Sequence, residues 1–278
     1  MLAAVLALGA SVAWGIGDFI GGLKSRALSP LAVLAIAQPV GFAAMAIVVT
    51  LHWEPWPGPS ALYSVPAAML GTLGLVAFYR GMAAGSISLV APIAATGALI
   101  PVAFGLATGE RPSPLQLTGI ALAVGGAVAT SYEPGEGGER PRLAAGIGWG
   151  LLAAVAFGGY FIPMHEAAEG DFVWATFVFR TTSFSLVLLA ALVLRPRLPR
   201  YPRDIALIAC IGLADTGGNI LFAAAASQGL VSVVSVLASL YPVVTVILAR
   251  VYLHERVTRV QEAGAATTLG GVVLVSAG

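Results

Sequence analysis

The sequence predicts an all-α integral membrane protein, with ten transmembrane helices arranged as two inverted five-helix repeats. Three observations carry that expectation. First, 58% of the 278 residues are hydrophobic and only 10% are charged, against roughly 25% charged in a soluble domain. Too little polar surface is present to cover the core that so much apolar surface would form, so lipid is the expected solvent. Second, the chain divides into ten apolar segments separated by charges, prolines and loop residues. Third, Glu110-Arg111 with Gly119, Gly125 and Gly126 returns as Glu255-Arg256 with Gly264, Gly270 and Gly271, at a constant offset of 145 residues. Upstream, Gly85 matches Gly229 and Phe78 matches Phe222 at an offset of 144, and Trp14-Gly15 matches Phe157-Gly158 at 143. So small a drift marks a duplicated half.

The first segment, 2–22, lacks a basic leading region and a clear cleavage site before Asp18, so it reads as a retained span rather than a signal peptide. Segments 31–51 and 61–82 follow, then 86–108 with Pro92 and Pro101, and a Gly-rich segment at 114–131. The polar stretch Tyr132 to Arg142, with Pro134, Gly135, Gly137 and Gly138, reads as a linker. The expected organisation is therefore a first repeat at 1–132, a linker at 133–142 and a second repeat at 143–278. The second repeat supplies segments 143–163, 172–194, 204–226, 230–252 with Pro242, and 260–277. Each has about the length that crosses a hydrocarbon layer as a helix. Helices are the expected spans because backbone groups in lipid need partners within the segment.

Five spans is an odd number, so the second half enters the membrane in the opposite sense. That is the layout of many secondary transporters. Lys24, Arg26, Arg140, Arg142, Arg195, Arg197, Arg200, Arg203, Arg256 and Arg259 then share one face, and Arg111 stands on the other. The positive-inside rule places the basic face in the cytoplasm and both termini outside. Gly17/Gly21, Gly81/Gly85, Gly105/Gly109 and Gly146/Gly150 are Gly-xxx-Gly pairs that let helix backbones approach closely.

Four charged residues fall inside spans: Asp18, Arg80, Arg180 and Asp215. Charge in hydrocarbon is costly, so each is a functional candidate. At about 1.5 Å per residue, Arg180 lies roughly 12 Å below one face. Asp215, coming from the other face, reaches a similar level in a layer of about 30 Å. Asp18 and Arg80 both approach the basic face. The pairs Arg180–Asp215 and Asp18–Arg80 are thus geometrically allowed, the second as a gate or a tether. Asn219 and Phe222 share a helix face with Asp215, as Trp14 does with Asp18. Phe157 and Tyr160 share a face of the sixth span, Tyr79 adjoins Arg80, and Gln38 aligns with Arg180 at an offset of 142. Such convergence suits a cavity for an amphipathic organic solute. The bland alternative is that the ion pairs hold helices together and the aromatics pack.

Other classes find little support. A net charge of +1 and the lack of a basic stripe argue against nucleic acid as a partner. Cys210 is the single cysteine, which excludes a disulfide framework and a cysteine metal site. His165 with Glu166 and Glu169, and His52 beside Trp53, read as solvated loop residues rather than metal ligands. No Ser-His-Asp arrangement, phosphate-binding motif or Walker-type run is visible, so no catalytic residue, cofactor or ATP motor is expected.

The ten segments, the two halves, Trp14-Gly15 in the first span and Glu-Arg after the fourth and ninth resemble the drug/metabolite transporter superfamily. The similarity is greatest to its EamA-like members, many of which are amino-acid or metabolite exporters. The resemblance covers nearly the whole chain. It implies a central cavity between the halves and favours Trp14, Tyr79, Tyr160, Asp215, Asn219 and Tyr241 as lining residues. The family's typical ninth-span proline is present as Pro242, whereas its first-half counterpart is Gly97. Many relatives are assigned cytoplasmic termini, the opposite of what the charge count implies.

The expected protein is a multi-pass cell-membrane transporter working by alternating access, as a monomer or homodimer, with protons as the candidate coupling ion. Export of an amino acid or related zwitterion is the leading expectation. Arg180 would then meet a carboxylate, Asp215 an amine or a proton, and Trp14, Gln38, Tyr79, Tyr160, Asn219 and Tyr241 would complete the binding set, with Asp18 and Arg80 as gate or ion pair. The alternatives are uptake of a sugar or other neutral metabolite, and efflux of a hydrophobic cation. A cation would require an exposed membrane carboxylate with no arginine nearby. An integral-membrane lipid-modifying enzyme is the alternative of another class, and it lacks a catalytic cluster.

Overall fold

The computed structural model of the protein describes residues 1–84, 90, 93–130, 140–253 and 259–277. Gly85, Pro92, most of the polar linker and the second Glu-Arg pair lie outside the described residues. Among the described residues every regular element is helical. The chain runs through α1 (Leu2–Ser25), α2 (Pro30–Leu51), a 3₁₀ segment Pro59–Tyr63, α3 (Ser64–Ala84), a 3₁₀ turn Thr96–Ala98 and α4 (Leu99–Ala107). It continues through α5 (Pro114–Thr130), α6 (Arg140–Gly170), α7 (Phe172–Leu194), α8 (Pro202–Ala226), α9 (Val231–Ala238), α10 (Tyr241–Leu253) and α11 (Arg259–Ala277). Six of these helices are long and apolar enough to cross a membrane, and shorter apolar stretches lie at Ile93–Ala107, Pro114–Ala129, Val231–Thr245 and Ala266–Val275.

Local chemistry sets the helix starts. Ser29 accepts a hydrogen bond from the Ala32 N–H at 3.2 Å and is followed by Pro30, whose missing donor costs nothing at the first helical position. Asp171 accepts from the N–H groups of Val173 and Trp174, both at 2.8 Å, to start α7. Before α5, the Ser113 hydroxyl accepts from the Gln116 N–H and the Gln116 side chain accepts from the Ser113 N–H, a reciprocal capping box. The sixth helix runs on to Gly170 through Pro163, beyond the apolar segment that ends there in the sequence.

The helices pair across the two halves of the chain. α1 packs along α8 and α3 along α6, while α2 lies against α7 and α5 against α11. Glycine allows the closest of these approaches. A Cβ at Gly119 would stand 2.7 Å from the Gly271 carbonyl oxygen, and one at Gly126 would stand 2.7 Å from the Gly264 carbonyl oxygen. The α5–α11 seam is therefore backbone against backbone, the kind of contact that drives helix association where lipid removes the hydrophobic gradient. Of the Gly-xxx-Gly positions, Gly21 and Gly81 are tightly packed, with a Cβ at Gly21 overlapping the Tyr79 hydroxyl oxygen, whereas a Cβ at Gly17 would meet only ordinary van der Waals neighbours.

The seam predicts a specific mutational contrast. Gly119→Val should lower the unfolding temperature in detergent, with a loss of about 1–3 kcal/mol from overpacking. Gly125→Ala, whose Cβ would meet nothing within 4 Å, should not lower it.

Candidate functional site

Residues of α1, α2, α3, α6, α7 and α8, with Tyr241 at the start of α10, enclose a cavity of about 770 Å³ including its mouth. The walls are aromatic and aliphatic, with Trp14, Phe157, Tyr160, Phe161, Phe179 and Tyr241 the principal rings. Most lining positions fall in the half nearer the basic face: Leu34, Ala37 and Gln38 come early in α2, and Asp18 and Tyr79 late in α1 and α3. Toward the opposite face Trp14, Phe161 and Phe222 form a floor with ring centroids 4.9–6.1 Å apart. Beneath it lies a core of small apolar residues that includes Ala7, Ala10, Ala223, Val234 and Leu237. The lining residues of α1, α2 and α3 thus lie mainly toward the basic-face ends of those helices, with the aromatic cluster on the opposite side.

Of the residues singled out in the sequence, Trp14, Gln38, Tyr79, Tyr160, Asp215, Asn219 and Tyr241 line the cavity, and so does Asp18. Arg180 does not. Its side chain is 0% exposed, with the guanidinium carbon 5.3 Å from the Phe179 ring centroid. Nη2 stands 2.8 Å from Asp215 Oδ2, and Nη1 donates to Gln38 Oε1 at 3.1 Å. The chain of contacts continues from Asp215. Asn219 Nδ2 donates to the Asp215 carbonyl oxygen at 2.6 Å and to Oδ1 at 3.2 Å, and the Tyr160 hydroxyl donates to Asn219 Oδ1 at 2.7 Å. One polar network thereby ties α2, α6, α7 and α8 together. It engages Arg180 with Asp215 and Gln38 and keeps its guanidinium off the cavity wall.

The Asp18–Arg80 pair is not formed. Arg80 is exposed and lies over the Trp149 ring, 5.3 Å from its centroid, because its position on α3 faces α6 rather than α1. Asp18 is buried on the cavity wall, and it has neither a hydrogen-bond nor an ion-pair partner among the described residues. Equal depth was a poor guide because it carries no information on helix rotation.

Several lining residues went unnoticed in the sequence, chiefly Leu34, Thr72, Leu75, Phe179 and Ser183. The signal was available for some: Leu34 and Leu75 stand one turn before Gln38 and Tyr79, on the same helix faces.

The sequence signature of the EamA-like transporter family matches residues 1–132 and again 144–277. The chain belongs to the EamA-like transporter family. It is accordingly a multi-pass membrane protein and a transporter of small molecules, as members of that family are. No curated protein matches it. Chains of solved structures do, 29 of them. One, described only as "Crystal structure of protein", superposes with a TM-score of 0.78 at 18% identity, covering 99% of this chain and 96% of the other. That likeness is one of fold.

The ion pair makes a stability prediction. Asp215→Asn leaves the Arg180 charge buried and unmatched, at a cost of about 3–5 kcal/mol. Replacing both partners, Arg180→Met with Asp215→Leu, should recover most of that loss in thermal unfolding measured in detergent.

Proposed function

We propose that the chain is a secondary transporter that moves a small, amine-bearing amphipathic organic solute by alternating access between two inverted five-helix repeats. One observation carries this reading. Asp18 presents a carboxylate to an aromatic cavity with no cationic side chain bonded to it among the described residues, while the other cavity carboxylate, Asp215, is matched by Arg180. The paired charges cancel, and Asp18 is the cavity carboxyl left free to meet a cationic head. A cationic head against Asp18 with an apolar body among the rings satisfies both features.

The architecture is supported by adding the four shorter apolar stretches to the six long helices, which gives ten spans. The inverted arrangement is supported by the pairing of α1 with α8 and of α3 with α6, since exchanging the halves converts one contact into the other. Repeats at 1–132 and 143–278 are supported by the double family match.

Hydrophobic-cation efflux fits the cavity best, and amino-acid export is the second reading. Both use Asp18 for the amine. An amino acid also needs donors for its carboxylate, and with Arg180 taken these are the Tyr79 and Tyr241 hydroxyls, neither of which is partnered among the described residues. A sugar would leave Asp18 unmatched. Asp18 is also the group for which an amine and a proton would compete, which makes exchange of the two chemically consistent.

Uptake of a lipophilic organic cation and of labelled amino acids into proteoliposomes tests the reading, with and without a pH gradient. Asp18→Asn should cut cation uptake at least about tenfold, the scale of a lost charge-assisted contact, while leaving the unfolding temperature near wild type. Undiminished cation uptake by the folded variant would remove Asp18 from the site.

A further inference from the structure

Gly109-Glu110, a landmark of the sequence, has a defined place away from the cavity. α4 ends in a Schellman motif: Gly109 adopts φ +98°, its N–H donates to the Leu106 carbonyl at 3.3 Å, and the Glu110 N–H donates to the Gly105 carbonyl at 2.8 Å. This turn folds Glu110 back over the end of α4, where the missing side chain of Gly105 leaves room for its carboxylate. The carboxylate then crosses to the other half of the chain. Oε1 accepts from the Val231 N–H at 2.6 Å and Oε2 from the Ser232 N–H at 3.1 Å, satisfying two free donors at the positive end of α9.

α9 is short and ends at a break. After Val231–Ala238 the helix is interrupted at Ser239 and Leu240, and α10 opens with Tyr241, which lines the cavity. The Ser232 and Ser235 hydroxyls are buried without a hydrogen-bond partner among the described residues. The Glu110 carboxylate is therefore the polar contact that seats the first turn of α9, and the remaining contacts of Val231, Val234, Val236 and Leu237 are apolar and non-directional.

We infer that Glu110 is the latch of the closed face: its bonds to α9 hold the seal opposite the basic face, and their release lets α9 swing about the Ser239–Leu240 break and open that side. The inference rests on the alternating-access reading above.

The experiment is thiol labelling in proteoliposomes with a membrane-impermeant maleimide applied to the face that carries Glu110. The background is Cys210→Ala with Ser235→Cys, a near-isosteric change at a hydroxyl that has no partner among the described residues. Glu110→Gln and Glu110→Ala are compared with Glu110, and gel filtration checks that each variant is folded. Losing a helix cap should raise the labelling rate about three- to thirtyfold. An unchanged rate in both folded variants, beside a wild-type background that labels slowly and transports, overturns the latch alone. No labelling in any variant, together with no transport by the wild type, overturns the alternating-access reading and the latch with it.

Discussion

Arg180 sets the terms for the rest of the structure. A guanidinium with 0% exposure inside a membrane protein is tolerable only with its charge matched. Asp215 supplies that match and Gln38 accepts from Nη1, each holding its helix against α7, the face of Phe179 covers the group, and Nε makes no hydrogen bond among the described residues. Asp215 in turn fixes Asn219, and Asn219 fixes the Tyr160 ring that forms part of the cavity wall. The geometry of the cavity thus follows from the solvation of one buried cation. The same network decides which charge is left for a solute, because Arg180 and Asp215 spend themselves on each other and Asp18 does not take part.

Helix packing answers to a different constraint. Between lipid-soluble surfaces there is no hydrophobic gradient to exploit, so close approach and good fit must bring helices together. The α5–α11 seam solves this with glycine on both sides, and the two crossing points exchange places when the halves are exchanged: Gly119 meets Gly271 and Gly126 meets Gly264. These are the glycines that repeat at an offset of 145. The repeat therefore preserves contacts, and the helices around the cavity inherit that pairing. A break in the ninth segment beside Tyr241 departs from regular helix where a protein-lined cavity, rather than lipid, receives the backbone.

Much of this was legible in the residues. The apolar segments, the duplicated landmarks and the rarity of interior charge pointed to a helical membrane protein and, with the family resemblance, to about half of the lining side chains. What escaped was rotational. Asp18 and Arg80 lie at comparable depths, but α3 turns Arg80 onto Trp149, and no spacing within one helix reveals its azimuth against another. Arg180 stood out in the sequence as an interior charge, and the structure sets its guanidinium on Asp215 and Gln38 rather than on the cavity wall. Its partner Gln38 stood at the matching position of the other half, and the short-range pattern gave no sign that amide and carboxylate would together seal it in. Glu110 was visible as a landmark whose role needed the helix terminus that it reaches across the halves.

The polarity of the molecule bears on direction of transport. The arginine-rich loops and the later part of α1 with Asp18 lie toward one face, while the aromatic floor and the Glu110 contact lie toward the other. If the basic face is cytoplasmic, as the charge count implies, the conformation described is the loading state of an exporter. Turned over, with cytoplasmic termini, the same arrangement would be the loading state for uptake. Cavity chemistry is indifferent to this choice, since the amine proposed to meet Asp18 would do so from either side. Direction is therefore a property of the loops and of the coupling gradient, whereas selectivity is a property of the helices, and the two are carried by different residues of this chain.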